Sequence, residues 1–172
     1  MKKRAIFLSC LAAVFLFLLG ASGRRLKRNS DFRKSIAEVP EFCLSKVVDS
    51  LLFCSTQFTK DKPVVLMYVH PECDYCHAKA QQLSQKTIQV EGIQWAMVSY
   101  AERDNLKKFI ETYHLDDIPS VEVLSDAEFS LYNRLKVAGI PSSYIYNRQH
   151  RLVAVKQGGT KLETIVQLAN RE

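Results

Sequence analysis

The chain has 172 residues, and 47% of them are hydrophobic, which is enough for one domain with a buried core plus a leader segment. The formal net charge of +6 is concentrated at the N-terminus, because nine of the 24 Lys and Arg residues and only one acid lie in residues 1–34. Residues 35–172 therefore carry 15 basic and 17 acidic residues. This balance excludes the strongly basic surface that binding to nucleic acid requires.

Residues 1–23 have the pattern of a secretory signal. Basic residues at positions 2–4 precede an apolar run from Ala5 to Leu19, and small residues follow it. Basic residues directly after the run resist translocation, so the sequence allows a cleaved signal peptide or an uncleaved anchor over residues 5–22. We expect export to the periplasm or cell envelope, with contact to the inner membrane if the segment is retained. Residues 24–38 are interpreted as a basic linker, and residues 39–172 as the folded domain.

Beyond residue 62 the apolar pattern alternates between strands and helices. Strands are predicted at 64–69, 93–100, 120–124, 143–146 and 152–155, and helices at 74–86, 102–115, 126–135 and after 160. Asp126 and Thr160 are the expected helix caps. The order predicts an α/β fold in which a central mixed sheet, parallel in the middle and antiparallel at one edge, is flanked by helices.

Two short apolar segments around Cys43 and Cys54 precede this unit. A β-hairpin centred between positions 48 and 49 would place Cys43 opposite Cys54. Cross-strand neighbours are about 4.5–5.5 Å apart, which overlaps disulfide geometry. The sequence therefore predicts an N-terminal hairpin whose cysteines form either a structural disulfide or two buried free thiols.

Cys73 and Cys76 lie where the strand predicted at 64–69 passes into a helix. The free N–H groups and dipole of a helix N-terminus favour a thiolate, which is the attacking species in disulfide exchange. A spacing of three places both sulfurs on one face of the first turn. Cys73 is therefore predicted to attack a client disulfide and Cys76 to resolve the mixed disulfide. Asp74 opposes thiolate formation at Cys73, whereas a cationic His77 favours it.

Other functions fit the same cysteines. Cys-x-x-Cys-His also matches c-type haem attachment, although a haem fold would be helical where a strand is predicted here. Zinc or copper could bind Cys73 and Cys76 with His70 or His77, but no second Cys/His pair has zinc-finger spacing. A purely structural disulfide is a further alternative. Peroxiredoxin-type chemistry is disfavoured, because position 70 holds His where Thr or Ser is expected. We expect neither a cofactor nor a metal.

Pro141 stands immediately before a predicted strand, the position that a central strand tolerates for proline. A cis Ile140–Pro141 bond would expose the backbone of Ile140 beside the cysteines, where an extended client chain could hydrogen-bond to it. The alternative is an ordinary trans turn.

Residues 62–83 and 137–169 resemble the strand–CxxC–helix unit and the cis-proline loop, hairpin, glycine and terminal helix of the thioredoxin superfamily. The helix and strand at 102–124, the hydrophobic leader and the early hairpin are similar to TlpA/ResA-like, redoxin-type envelope thiol–disulfide oxidoreductases. This resemblance implies a thioredoxin-like fold with a helix–strand insertion. The thiols or disulfides of proteins or small molecules would be its substrates, and a redox protein its partner.

By this resemblance Cys73 is the nucleophile, Cys76 the resolving cysteine and Pro141 the cis-proline. The chain departs from the thioredoxin pattern at Glu72, at Asp74-Tyr75 and at Met67, where Trp, Gly-Pro and a buried Asp are usual. Together with Ile140 and His77, residues 72, 74 and 75 are expected to contact substrate or tune the pair. The remaining alternatives are a copper- or zinc-binding chaperone and a redox-inactive interaction module with the same fold.

Overall fold

The structure is a computed structural model that describes residues 31–85 and 90–171. The chain divides into two compact units, residues 1–37 and 38–172. In the first unit, residues 31–35 are helical. The signal or anchor predicted at 1–23 lies outside the described residues. Within the described ranges, no helix has both the length and the apolar character needed to cross a membrane.

The second unit is an α/β fold. Its strands are β1 Cys43–Lys46, β2 Leu52–Cys54, β3 Val64–Tyr68, β4 Gln94–Ser99, β5 Val121–Ser125, β6 Ser142–Tyr146 and β7 Leu152–Gln157. Its helices are α1 Asp74–Gln85, α2 Arg103–Tyr113, α3 Ser130–Leu135 and α4 Leu162–Ala169. Short 3-10 turns cover Ser55–Gln57 and Leu115–Asp117.

One seven-stranded sheet, in the order β2-β1-β5-β4-β3-β6-β7, runs through this unit. β3, β4 and β5 are parallel, whereas β1 pairs antiparallel with β5 and β6 pairs antiparallel with β3. Every residue of β3 is buried, as expected for a strand covered on both faces. The mixed α/β fold, with its early hairpin and helix–strand insertion, is therefore confirmed. The carboxyl ends of the three parallel strands meet at one edge, which we call the carboxyl edge of the sheet.

The N-terminal hairpin has the predicted register, with Cys43 opposite Cys54. The structure joins these cysteines in a disulfide with an S–S distance of 1.98 Å. The Arg103 guanidinium at the start of α2 donates to the carbonyls of Lys46 and Val47, at 2.9 and 2.8 Å. The hairpin turn is therefore tied to the insertion helix as well as closed by the bridge.

Removal of this bridge should destabilise the domain. Its cysteines are 11 residues apart in sequence, and closing a loop of that size in the unfolded chain contributes about 3 kcal/mol. The Cys43→Ala/Cys54→Ala variant should therefore unfold at a lower urea concentration than the wild-type chain, with an equal or steeper dependence on urea, because its unfolded chain is less compact. An unchanged unfolding midpoint would contradict a stabilising bridge.

Two predicted helix starts differ from the structure. α3 begins at Ser130, four residues after Asp126, although the Asp126 carboxylate still accepts hydrogen bonds from the first N–H groups of α3. The prediction that Thr160 caps α4 was wrong, because the cap residue is Lys161 and no side chain bonds there. Thr160 is engaged elsewhere, since its hydroxyl donates to Gln157 O at 3.4 Å.

Candidate active site

Cys73 and Cys76 lie at the carboxyl edge of β3, where the chain turns into α1. The turn is held by the Cys73 N–H, which donates to His70 O at 3.1 Å, and by the Cys76 N–H, which donates to Cys73 O at 2.8 Å. Both cysteines are free thiols; Cys73 is half-buried and Cys76 is buried. Of the two sulfurs, only that of Cys73 is therefore open to a client.

The cis-proline loop faces this thiol. The Ile140–Pro141 bond is cis, and the Cys73 thiol donates to the Ile140 carbonyl over an Sγ–O distance of 3.7 Å. Behind Pro141, its carbonyl accepts the Gly158 N–H at 2.8 Å. The structure therefore brings together the three residues for which the sequence predicts catalytic roles, Cys73, Cys76 and Pro141.

Cys76 is held as a neutral thiol. Burial, followed by interaction with the Cys73 thiol, raises the pKa of Cys76 well above its ordinary value. The His70 backbone N–H donates to Cys76 Sγ at 3.4 Å and offsets this rise only in part. The inner sulfur of the pair therefore keeps its proton at neutral pH.

This shift predicts how stability depends on pH. In the unfolded chain the Cys76 thiol ionises near pH 8.5, whereas the folded chain holds the proton to higher pH. The folded state then binds more protons than the unfolded state, so the stability of the dithiol form should fall as pH rises above about 8.5. By urea unfolding, we expect the stability of the reduced wild-type chain to fall between pH 7 and pH 10 by about 2 kcal/mol more than that of Cys76→Ala. An equal loss in both proteins would contradict a buried neutral thiol.

His70 is part of the turn before the cysteines. Its Nδ1 accepts the Glu72 N–H at 3.2 Å, and its ring lies 5.2 Å from that of Tyr100. The sequence offered His70 only as a possible metal ligand. Among the residues described, no group of three or more His, Cys, Asp and Glu side chains is placed to hold a metal ion.

His77 lies on the side of α1 that packs against the insertion helix. Its Nδ1 is 2.7 Å from the Tyr113 hydroxyl, and its ring packs on Phe109 with centroids 5.3 Å apart. These contacts link α1 to α2. Glu72, His77 and Phe109 also line a shallow cavity of about 250 Å³ beside the redox turn.

The two residues between the cysteines are exposed. Asp74 begins α1, where a negative charge is favoured by the helix dipole. The Tyr75 ring lies over Gly159, and a Cβ added at position 159 would be 3.1 Å from two carbons of that ring. A side chain at position 159 would therefore displace the exposed Tyr75 ring by a few tenths of an ångström.

Lys79 is a buried residue that the sequence analysis missed. It is 3% exposed, and its ammonium donates to the Thr160 carbonyl and, at 3.4 Å, to Gln82 Oε1. Burial lowers the pKa of Lys79, and the charge of Glu163 opposes that shift. The ammonium ties α1 to the loop at 158–160, whose Gly158 holds Pro141. The burial of Lys79 could have been predicted from helical spacing, because Lys79 lies three residues after Cys76, on the inward face of α1.

A CxxC pair that begins a helix after a buried parallel strand, opposite a cis-proline, is the arrangement of thioredoxin-like thiol–disulfide oxidoreductases. The chain belongs to the AhpC/TSA family, whose model matches residues 37–155. The predicted redoxin-type, thioredoxin-like enzyme class is thereby confirmed. No curated protein sequence matches the chain significantly.

Solved structures share the fold. A secreted Mycobacterium tuberculosis disulfide oxidoreductase homologous to E. coli DsbE has a TM-score of 0.63 at 20% identity, over 74% of this chain and 93% of its own. A thiol:disulfide interchange protein of the thioredoxin family from Chlorobium tepidum TLS has a TM-score of 0.61 at 19% identity, over 77% and 95%. StoA from Bacillus subtilis has a TM-score of 0.59 at 14% identity, over 78% and 99%. At these identities the likeness shows the fold.

Proposed function

We propose that the protein is an exported oxidoreductase of the cell envelope that exchanges disulfides with polypeptide clients through Cys73 and Cys76. The observation that carries this proposal is the pairing of a half-buried Cys73 thiol, 3.7 Å from the Ile140 carbonyl, with a buried Cys76 thiol one helical turn behind it. The outer sulfur meets the client and the inner sulfur is kept from it, as a two-step exchange requires.

In the reducing direction, the Cys73 thiolate attacks one sulfur of a client disulfide. The client S–S bond breaks, a mixed disulfide forms, and the departing client sulfur takes up a proton. Cys76 then loses its proton and attacks Cys73 Sγ, which releases the second client thiol and leaves a Cys73–Cys76 disulfide. Two electrons and two protons pass from the cysteine pair to the client. The oxidising direction reverses each step.

The position of Cys73 supports the first step, because it stands immediately before α1, where the first backbone N–H groups have no acceptor within the helix. The buried, neutral state of Cys76 supports the order of the steps, since a protonated thiol does not compete as a nucleophile. Export and a place in the envelope are supported by the leader pattern of residues 1–23 and by the secreted neighbour from M. tuberculosis.

The test is to mix the reduced protein with a small model disulfide and, separately, with hydrogen peroxide. We expect fast exchange with the disulfide, accompanied by the loss of two alkylatable thiols that peptide mapping assigns to Cys73 and Cys76. Peroxide should oxidise the pair no faster than it oxidises an ordinary thiol, because His70 stands where a peroxidase would have Thr or Ser. Absence of exchange would reject the proposal, and a faster reaction with peroxide would assign a peroxidase instead.

A further inference from the structure

Two aromatic rings lie beside the redox pair at the carboxyl edge of the sheet. Tyr100 follows β4 and Phe129 precedes α3, and their rings are stacked with centroids 4.6 Å apart and planes 24° from parallel. We call these two residues the aromatic platform. The Tyr100 ring is 5.2 Å from that of His70, whose backbone N–H donates to Cys76 Sγ. The platform is therefore continuous with the thiol site.

Phe129 has an unfavourable backbone conformation. Its φ is +56°, in the left-handed region. The other described residues with positive φ that are not glycine are polar or charged, namely Ser50, Asp61, His114, Lys136 and His150. A bulky residue in this region is an outlier, and strain of this kind clusters at functional sites. The Phe129 side chain remains 40% exposed, so packing only partly explains why a phenylalanine stands here.

The platform is also held in a fixed position. The Tyr132 ring packs edge-on against both Tyr100 and Phe129, at 5.7 Å from each. The buried Asp126 carboxylate accepts the N–H groups of Ser130 and Tyr132, each at 2.8 Å. A surface that is ordered before its ligand arrives loses little conformational freedom on binding.

We propose that the aromatic platform is a client subsite that takes an aromatic side chain lying close in sequence to the client's reactive cysteine. This inference rests on the proposed exchange with polypeptides and names a chemical preference of that site. A client whose sulfur reaches Cys73 brings its neighbouring residues to the carboxyl edge of the sheet. An extended chain spans about 3.3–3.6 Å per residue, so a client residue one to three positions from the reactive cysteine can reach the platform while the cysteine is bonded to Cys73. Exposed ring faces and edges favour a further ring in stacked or edge-on geometry.

The test uses peptides that each contain one disulfide to a small thiol and differ only near the cysteine. Phenylalanine is placed in turn at each of three positions on either side, and the reference peptide has alanine throughout. We expect the wild-type protein to prefer the best phenylalanine peptide over the reference by about fivefold in kcat/KM. Phe129→Gly and Phe129→Asn should bring this ratio close to one, and both variants should stay folded, because both residues adopt positive φ readily and the relief of backbone strain offsets part of the lost ring contacts.

Leu51→Ala is the matched control. Leu51 is an apolar residue that is 63% exposed. It lies in the β1–β2 turn, next to the amino end of β5 and therefore at the opposite end of the sheet from the carboxyl edge. This variant should keep the wild-type preference.

Equal rates for every peptide with the wild-type protein would overturn the subsite and leave the exchange function standing. A preference that survives both Phe129 variants would overturn it as well. No exchange with any peptide would instead reject the proposed function itself.

Discussion

Replacing Cys73 with serine should slow disulfide exchange by on the order of a thousandfold, whereas Cys76→Ala should stop the reaction at a mixed disulfide. The asymmetry follows from exposure, because Cys73 is half-buried and Cys76 is fully enclosed. A serine hydroxyl does not ionise at neutral pH and cannot replace the attacking thiolate. Without Cys76, the client remains bonded to Cys73 Sγ because the second attack has no nucleophile.

The measurement follows client thiol release by rapid mixing and maps the trapped peptide by mass spectrometry after alkylation. Cys43→Ala/Cys54→Ala is the control, since its changes lie in the hairpin, which β5 and β4 separate from β3, and its redox pair is intact. It should exchange at the wild-type rate. A client trapped at Cys76 in a Cys73→Ala protein, with none trapped at Cys73 in Cys76→Ala, would reverse the two roles.

The sequence predicted those features that depend on local pattern. An uninterrupted apolar run followed by a CxxC gave the β3–α1 unit, because burial on both faces leaves no polar position in the strand. The hairpin register followed from symmetry, since a turn centred between positions 48 and 49 pairs Cys43 with Cys54. Two-residue periodicity and turn chemistry likewise gave the β6–β7 hairpin.

The missed features depend on contacts between segments that are distant in sequence. Lys79 is buried because the loop at 158–160 supplies a carbonyl for its ammonium, and that contact spans 81 residues. His77 was expected to act on the thiols through its charge, which stays a prediction; its contact with Tyr113, 36 residues along the chain, was not foreseen. Asp126 was expected only to cap a helix, and its bond to the Tyr68 hydroxyl spans 58 residues. Apolar periodicity contains no information about such partners.

Asp126→Ala should lower the free energy of unfolding by about 4 kcal/mol, the largest effect on stability that we expect from one substitution. The carboxylate is 1% exposed and accepts the N–H groups of Ser130, Leu131 and Tyr132, the Ser130 hydroxyl and the Tyr68 hydroxyl. An alanine would leave all of these donors without their acceptor. Each unsatisfied buried donor costs about 1–3 kcal/mol, and entry of water recovers part of the sum.

Tyr68→Phe separates the two parts of this network. It removes the hydroxyl that donates to Asp126 and leaves the three backbone N–H groups satisfied, so we expect a loss of about 1 kcal/mol. Urea unfolding at pH 7 measures both variants. Equal losses would place the stabilisation in the tyrosine contact rather than in the cap of α3.

If the cap dominates, Asp126 also fixes Phe129, because α3 and the platform residue share the turn that this carboxylate holds. A folded Asp126→Asn protein should then lose part of the preference for phenylalanine peptides and retain exchange at Cys73, which would connect the stability of this edge of the sheet to its choice of client.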